Sequence, residues 1–317
     1  MKRPMAKHAL VLGGAGFVGS AIAREFVRAG WNTQIIDCLR AEGFGDTARF
    51  QDFADKITFT MVDISDVADL EATFSRFDVV VDAIGLSRHS IAERYPFVDL
   101  ELNLRVHLPV FRSMTSGGPR LIHLGALHQF GGASGEVGDD DRFMPIDVQG
   151  VHKCAAEEHL RLHCLRTGAS ASVLRIGNCI GPGQPVDAGD VGLFGGLLRD
   201  LRAGKTVAVF DGNRARHLSY TPDVGRLAVS LAEIDWSGFH AVNVPGELVE
   251  VLAVAREMQR QLGVGEVKVT PLPAEFAGRE IRPATFPAAR LRQLAPQFAT
   301  TPLALALRAA VDSARES

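Results

Sequence analysis

The run Gly13-Gly14-Ala15-Gly16-Phe17-Val18-Gly19 follows an apolar stretch, residues 8–12, and leads into an amphipathic one, residues 19–29. Read as strand, turn and helix, it is a GxxGxxG loop. Positions without side chains let backbone N–H groups and a helix N-terminus approach a pyrophosphate, so Gly13, Gly16, Phe17, Val18 and Gly19 are the expected phosphate-facing residues. A tight turn alone also asks for glycine, and the neighbourhood decides between the two. Asp37 lies 24 residues after Gly13, at the end of the next β-rich run. A carboxylate there accepts hydrogen bonds from ribose hydroxyls and repels a 2′-phosphate, which selects NAD over NADP. Arg40, three residues on, is the counter-signal, because an arginine nearby can accommodate that phosphate.

Outward from this loop, short β-rich runs alternate with helical ones. Strands are expected at 8–12, 33–36, 57–61, 78–81, 120–124 and 171–176, and helices at 19–29, 67–74, 98–115 and 149–166. That alternation is the pattern of an α/β, Rossmann-type doubly wound parallel sheet. The dinucleotide domain is expected over residues 1–180, with a helix and strand of 218–244 returning to it. A smaller substrate lobe takes 181–217 and 245–317. The stretch 131–147, with Asp139-Asp140-Asp141, reads as a solvated loop.

Composition narrows the partners. Among 317 residues, 34 are basic and 37 acidic, a formal charge of −3, so neither nucleic acid nor an anionic membrane is an expected partner. No run of about 18 apolar residues marks a membrane span. Cys38, Cys154, Cys164 and Cys179 form no CxxC pair, and reduced thiols in a cytoplasmic protein are the expectation.

The GxxGxxG spacing, Val62-Asp63-Ile64, Leu174-Arg175-Ile176-Gly177-Asn178-Cys179-Ile180-Gly181-Pro182-Gly183, and Arg216-His217-Leu218-Ser219-Tyr220-Thr221-Pro222-Asp223-Val224 together resemble the extended short-chain dehydrogenase/reductase family. More narrowly they resemble its NAD-dependent sugar-nucleotide epimerase/dehydratase branch. The resemblance implies adenine contacts from Asp63 and Ile64. It also implies a nucleotide-linked sugar between the lobes, its diphosphate held by Asn178, Arg216 and Arg282, and a homodimer through the helix 149–166.

The same resemblance exposes what is missing. The family's Tyr-x-x-x-Lys pair stands here as Gln149-Gly150-Val151-His152-Lys153, and its Ser/Thr position is Ala126. Neither Tyr95 nor Tyr220 has a lysine four residues on. Lys153 retains its implied contact with the nicotinamide ribose; the alternative is a solvated helix lysine. His128 stands where the dehydratases carry a glutamate that deprotonates the sugar carbon, and an imidazole there titrates near neutrality; the alternative is a turn histidine touching only water or backbone. Ser87 and His89, beyond the fourth strand, are further cleft candidates. His152, His159 and His163 share one helix face without a well-placed third metal ligand, and His123 reads as a core histidine. Two functions fit: an NAD-binding epimerase/dehydratase-like oxidoreductase with a non-standard acid/base set of Lys153, His128 and Gln149, or a catalytically silent sensor or assembly subunit that binds NAD or a nucleotide sugar.

Overall fold

The computed structural model describes residues 6–40, 45–187, 189–211, 214–273 and 284–316. Its centre is a seven-stranded sheet in the spatial order Phe239–Val244, Ala171–Ile176, Arg120–Ala126, Val79–Asp82, His8–Leu12, Asn32–Asp37 and Ile57–Met61. Every pairing is parallel. Parallel strands need crossovers, and the crossover helices cover both faces, which explains why runs such as Val79-Val80-Val81 are apolar throughout. One face buries Ile22, Phe26, Ile35 and Leu227, and the other Leu12, Phe74, Phe111 and Leu160. Helix Phe17–Arg28 packs against helix Thr221–Glu233, so the segment returning after residue 220 closes the first face.

A second cluster, with Phe194, Leu198, Val254, Met258 and Val311, lies outside this sheet. It joins helices Gly192–Arg202, Val251–Leu262 and Leu303–Glu316 to a three-stranded and a two-stranded sheet. Leu218, expected to begin the returning helix, instead lies within strand Ala215–Tyr220 of the three-stranded sheet; the helix starts at Thr221, where Pro222 fits the first turn.

Two other expectations need correction. The single helix expected over 98–115 is broken into Pro96–Leu100, a π-turn Glu101–Arg105 and His107–Arg112. The π-turn carries buried Asn103, whose side chain bonds both backbone groups of Leu86, the N–H at 3.1 Å and the carbonyl at 3.0 Å. The Asp139–Asp141 stretch is also not wholly solvated. Asp139 is buried and accepts from the N–H groups of Asn243 (2.7 Å) and Arg290 (3.1 Å). Among the described residues, no helix is long and apolar enough to cross a membrane.

Candidate functional site

The glycine loop sits where the strand order reverses, between His8–Leu12 and Val79–Asp82, the crevice in which open parallel sheets bind ligands. Gly13 has φ 71°, and a Cβ there would meet the Ile84 nitrogen at 2.8 Å; a Cβ on Gly19 would collide with the Gly13 carbonyl. Glycine is therefore a steric requirement at both ends of the turn. Helix Phe17–Arg28 begins without a side-chain cap, which leaves its first N–H groups to an anion. A dinucleotide pyrophosphate fits this cradle.

Beside it, a small cavity of about 70 Å³ is lined by Gly13, Asp37, Arg40, Asp63 and Ile64. Asp37 accepts from the N–H of Ala15 (2.9 Å) and of Leu39 (2.8 Å), so its carboxylate is fixed at the cavity wall. Arg40 is drawn to Asp63, Nη2 to Oδ2 2.5 Å. Partial burial disfavours the Asp63 charge, but the Ser65 N–H, Arg40 and the Ser65 hydroxyl outweigh it and hold its pKa at about 2. The arginine that could have received a 2′-phosphate thus already has a carboxylate.

The small cavity shares Gly16, Ala83, Ile84 and Gly85 with a larger one of about 870 Å³. Phe17, Val18, Gly19, Ser87, His89, His128, Gln149, Lys153, Asn178 and Arg216 all line it, so residues nominated along 200 positions of chain converge on one space. Gln149 is buried and donates from Nε2 to the Leu86 carbonyl at 2.6 Å, a contact that ties the amide to backbone. Lys153 Nζ lies 3.5 Å from the Leu124 carbonyl, and burial lowers its pKa against the opposing pull of Asp99 and Asp82. Lys153 is therefore a cleft residue and not a solvated one. Asn178 donates to the His217 carbonyl at 3.3 Å, and Arg216 Nη1 to the Ala215 carbonyl at 2.8 Å. Arg282 lies outside the described residues. Arg175, by contrast, is structural: it pairs with buried Glu157, donates to Asp139 O and Asn243 Oδ1, and stacks over Phe130 and Phe143.

Two histidines of the cavity come from adjacent strand ends. His89 opens helix His89–Arg94 and His128 lies in the turn Leu127–Phe130, their ring centroids 4.8 Å apart. His89 Nδ1 faces Asp147 Oδ2 at 3.4 Å, and Asp147 accepts from the Gly150 N–H at 2.7 Å as the N-cap of helix Val148–Thr167. Burial disfavours charge on His89, but Asp147, with Asp190 and Asp99 beyond it, outweighs this and raises its pKa. Burial, then the His89 charge, pushes His128 down to about 4.

Residue patterns alone did not single out Asp147, Asn103 or Asp99. Asp147 was readable as a helix cap, but its approach to a histidine 58 positions earlier was not. Asp99 is buried and joins His152 (2.6 Å) to Asn103 (2.6 Å), so His152 is held away from the cavity, whose lining does not include it. His163 donates to the Met114 carbonyl at 2.8 Å, and the helix histidines form no ligand cluster among the described residues. The cluster with ligand-like spacing is Asp82, His107 and His123, buried beneath the cleft.

This sheet order, with an uncapped glycine loop at its switch point and a carboxylate at the next strand end, defines a dinucleotide-binding α/β protein. The model of the NAD dependent epimerase/dehydratase family matches residues 9–244, and the chain belongs to that family. Methionine adenosyltransferase 2 subunit beta of Danio rerio is 24% identical over 72% of this chain and 64% of its own length. A putative UDP-glucose 4-epimerase of Methanocaldococcus jannaschii is 24% identical over 72% and 73%. In fold, the chain is similar to UDP-glucuronic acid 4-epimerase from Bacillus cereus in complex with UDP-glucuronic acid and NAD, with TM-score 0.83, 21% identity and coverage of 98% and 99%.

Proposed function

We propose that this chain is an NAD-dependent oxidoreductase of the epimerase/dehydratase kind that acts on a nucleotide-linked sugar with a non-standard acid/base set. The observation that carries the reading is the pair of joined cavities: the smaller has Asp37 and Asp63 on its wall, and the larger runs from the glycine loop past Lys153 and His128 to Asn178 and Arg216. NAD would be held by the Gly13–Gly19 backbone, Asp37, Asp63, Ile64 and Lys153, and when bound it supplies a hydride acceptor. Asn178 and Arg216, with Arg282, would orient the diphosphate, where charge-assisted bonds give direction as well as affinity. Ser87 and His89 would face the sugar. The four free cysteines suit a reducing cytoplasm. Exposed Val151, Leu162 and Leu165 form a stripe on helix Val148–Thr167 through which two copies would pair.

Calorimetry tests the reading. NAD should bind more tightly than NADP, and Asp37→Ala should narrow the gap; equal or stronger NADP binding in the parent overturns the cofactor assignment. Arg216→Ala should weaken UDP-glucose by about 1.5–3 kcal/mol, roughly tenfold to a hundredfold. Unchanged affinity overturns the placement of the diphosphate.

A second reading has its own support. The phenol and hydroxyl positions are Gln149 and Ala126, and one relative is by name a subunit of a methionine adenosyltransferase. A silent assembly subunit would bind both ligands with no reduction of bound NAD.

A further inference from the structure

A proton must leave the sugar hydroxyl when its carbon is oxidised, and few groups lining the large cavity can take it. No tyrosine lines it among the described residues, Ala126 has no hydroxyl, and the Gln149 amide is bonded to the Leu86 carbonyl. The Cys179 thiol is pushed up to about 12 by burial. Glu93 accepts from the Val148 N–H at 3.3 Å. Lys153, its pKa lowered by burial against the pull of Asp99 and Asp82, turns its Nζ to the Leu124 carbonyl at 3.5 Å. Asp147 is engaged by the Gly150 N–H and His89, which leaves His89 and His128 themselves, on loops that follow neighbouring strands Val79–Asp82 and Arg120–Ala126, with their rings 4.8 Å apart.

Asp147 touches one of them and not the other at ion-pair distance. We propose that His128 is the proton acceptor and His89 the hydrogen-bond donor to the reacting hydroxyl, together replacing the missing phenol, with Asp147 as the residue that positions His89; the assignment rests on the nucleotide-sugar reading above. Two carboxylates besides Asp147 face His89, Asp190 and Asp99, while at His128 burial and the positive field of His89, Arg216 and Lys153 outweigh the more distant Asp147. One imidazole is thereby charged and the other neutral at the same pH, the separation that lets two like groups take opposite roles. The balance is simple. The substrate O–H bond breaks and an N–H bond forms on neutral His128; His89 keeps its proton and donates to the same oxygen; the hydride passes to oxidised NAD, leaving a ketone. The second positive charge then lies beside His89, which favours return of the proton when the carbonyl is reduced.

Side-chain ¹⁵N NMR titration of the ligand-free protein reads the pair without any substrate. The signal lost in His89→Gln should titrate above 6.5 and the one lost in His128→Gln near 4. Asp147→Asn should lower the His89 midpoint. Coincident midpoints, or a His89 midpoint unmoved in Asp147→Asn, overturn the assignment. The second readout is reduction of bound NAD followed at 340 nm with UDP-glucose, UDP-glucuronic acid and dTDP-glucose. His128→Gln should bind NAD and the sugar nucleotide with unchanged affinity and react at least about 100-fold more slowly. In His128→Gly, added imidazole should restore part of the rate, which a merely structural histidine would not allow. Asp147→Asn should move the alkaline limb of the pH–rate profile downwards. Full activity in His128→Gln, or binding of both ligands to the parent without reduction by any of the three sugars, overturns the proposal; failure of NAD to bind at all overturns the proposed function instead.

Discussion

The molecule contains two groups of one aspartate and two histidines, and they are built oppositely. Beneath the cleft, Asp82 Oδ2 is shared by His107 Nδ1 at 2.7 Å and His123 Nδ1 at 3.1 Å, with all three side chains buried. In the cleft, Asp147 stands at ion-pair distance from His89 and acts on His128 only from farther off, while the His128 ring lies against that of His89. Sharing fixes the carboxylate: both inner histidines have the same partner, and although burial disfavours charge on Asp82, the two imidazoles hold its pKa well below the carboxylate range. Splitting differentiates, raising one imidazole and lowering the other. The same three side-chain types thus make a buried strut in one place and, in the proposed reaction, an acid/base pair in the other.

The largest expected effect comes from breaking the strut. Asp82→Ala leaves two imidazoles buried without their carboxylate, and His107 Nε2 already lacks a partner among the described residues. Removing one member of a buried ionic group costs roughly 3–5 kcal/mol. Urea unfolding should show that loss with an unchanged slope; a loss below about 1 kcal/mol would mean that packing, not the carboxylate, holds the inner group.

A pH series separates the groups next. His128 is lowered from its ordinary 6.5 to about 4, so between those values the unfolded chain binds the extra proton. Its contribution is intact above 6.5 and declines as pH falls, by about 3 kcal/mol in all. His123, lowered by burial against Asp82, acts in the same direction. His128→Gln should therefore lose less stability than the parent between pH 6.5 and 4. Parallel melting curves for the two proteins would show that His128 titrates normally and that the split does not exist.

The cofactor end of the cleft was legible in sequence because its requirements fall on the backbone. A Cβ at Gly13 or Gly19 runs into main-chain atoms, so the spacing of glycines reports the geometry directly. The apolar runs that became parallel strands were legible for the same kind of reason, being buried on both faces. The reacting end was legible only as an absence, Gln149 and Ala126 in place of phenol and hydroxyl. What stands near those positions depends on contacts across long separations: Asp147 with His89, 58 residues apart, or Asn103 with Leu86, 17 residues apart. The π-turn at Glu101–Arg105 is invisible to a 3.6-residue pattern, since apolar periodicity continues through it. Asp139 was misread because an acidic triplet looks solvated, whereas its carboxylate satisfies backbone N–H groups from two distant segments.

The smallest expected effect is the stability change in Asp147→Asn, and it sharpens the contrast with Asp82 most. Asp147 caps helix Val148–Thr167 through the Gly150 N–H, and asparagine caps about as well as aspartate, so the helix should be retained. What is lost is the support for charge on His89. A histidine whose folded pKa lies above 6.5 contributes stability that is fully present below 6.5 and disappears as pH rises through the folded value. The parent should therefore exceed Asp147→Asn by up to about 1 kcal/mol at pH 6, and the difference should shrink towards zero by pH 9. Thermal melts at the two pH values measure it. A difference that is equal at both would assign Asp147 to capping alone and leave His89 an ordinary imidazole, whereas a difference confined to the lower pH would show that the cleft aspartate, unlike the buried one, acts through a single histidine.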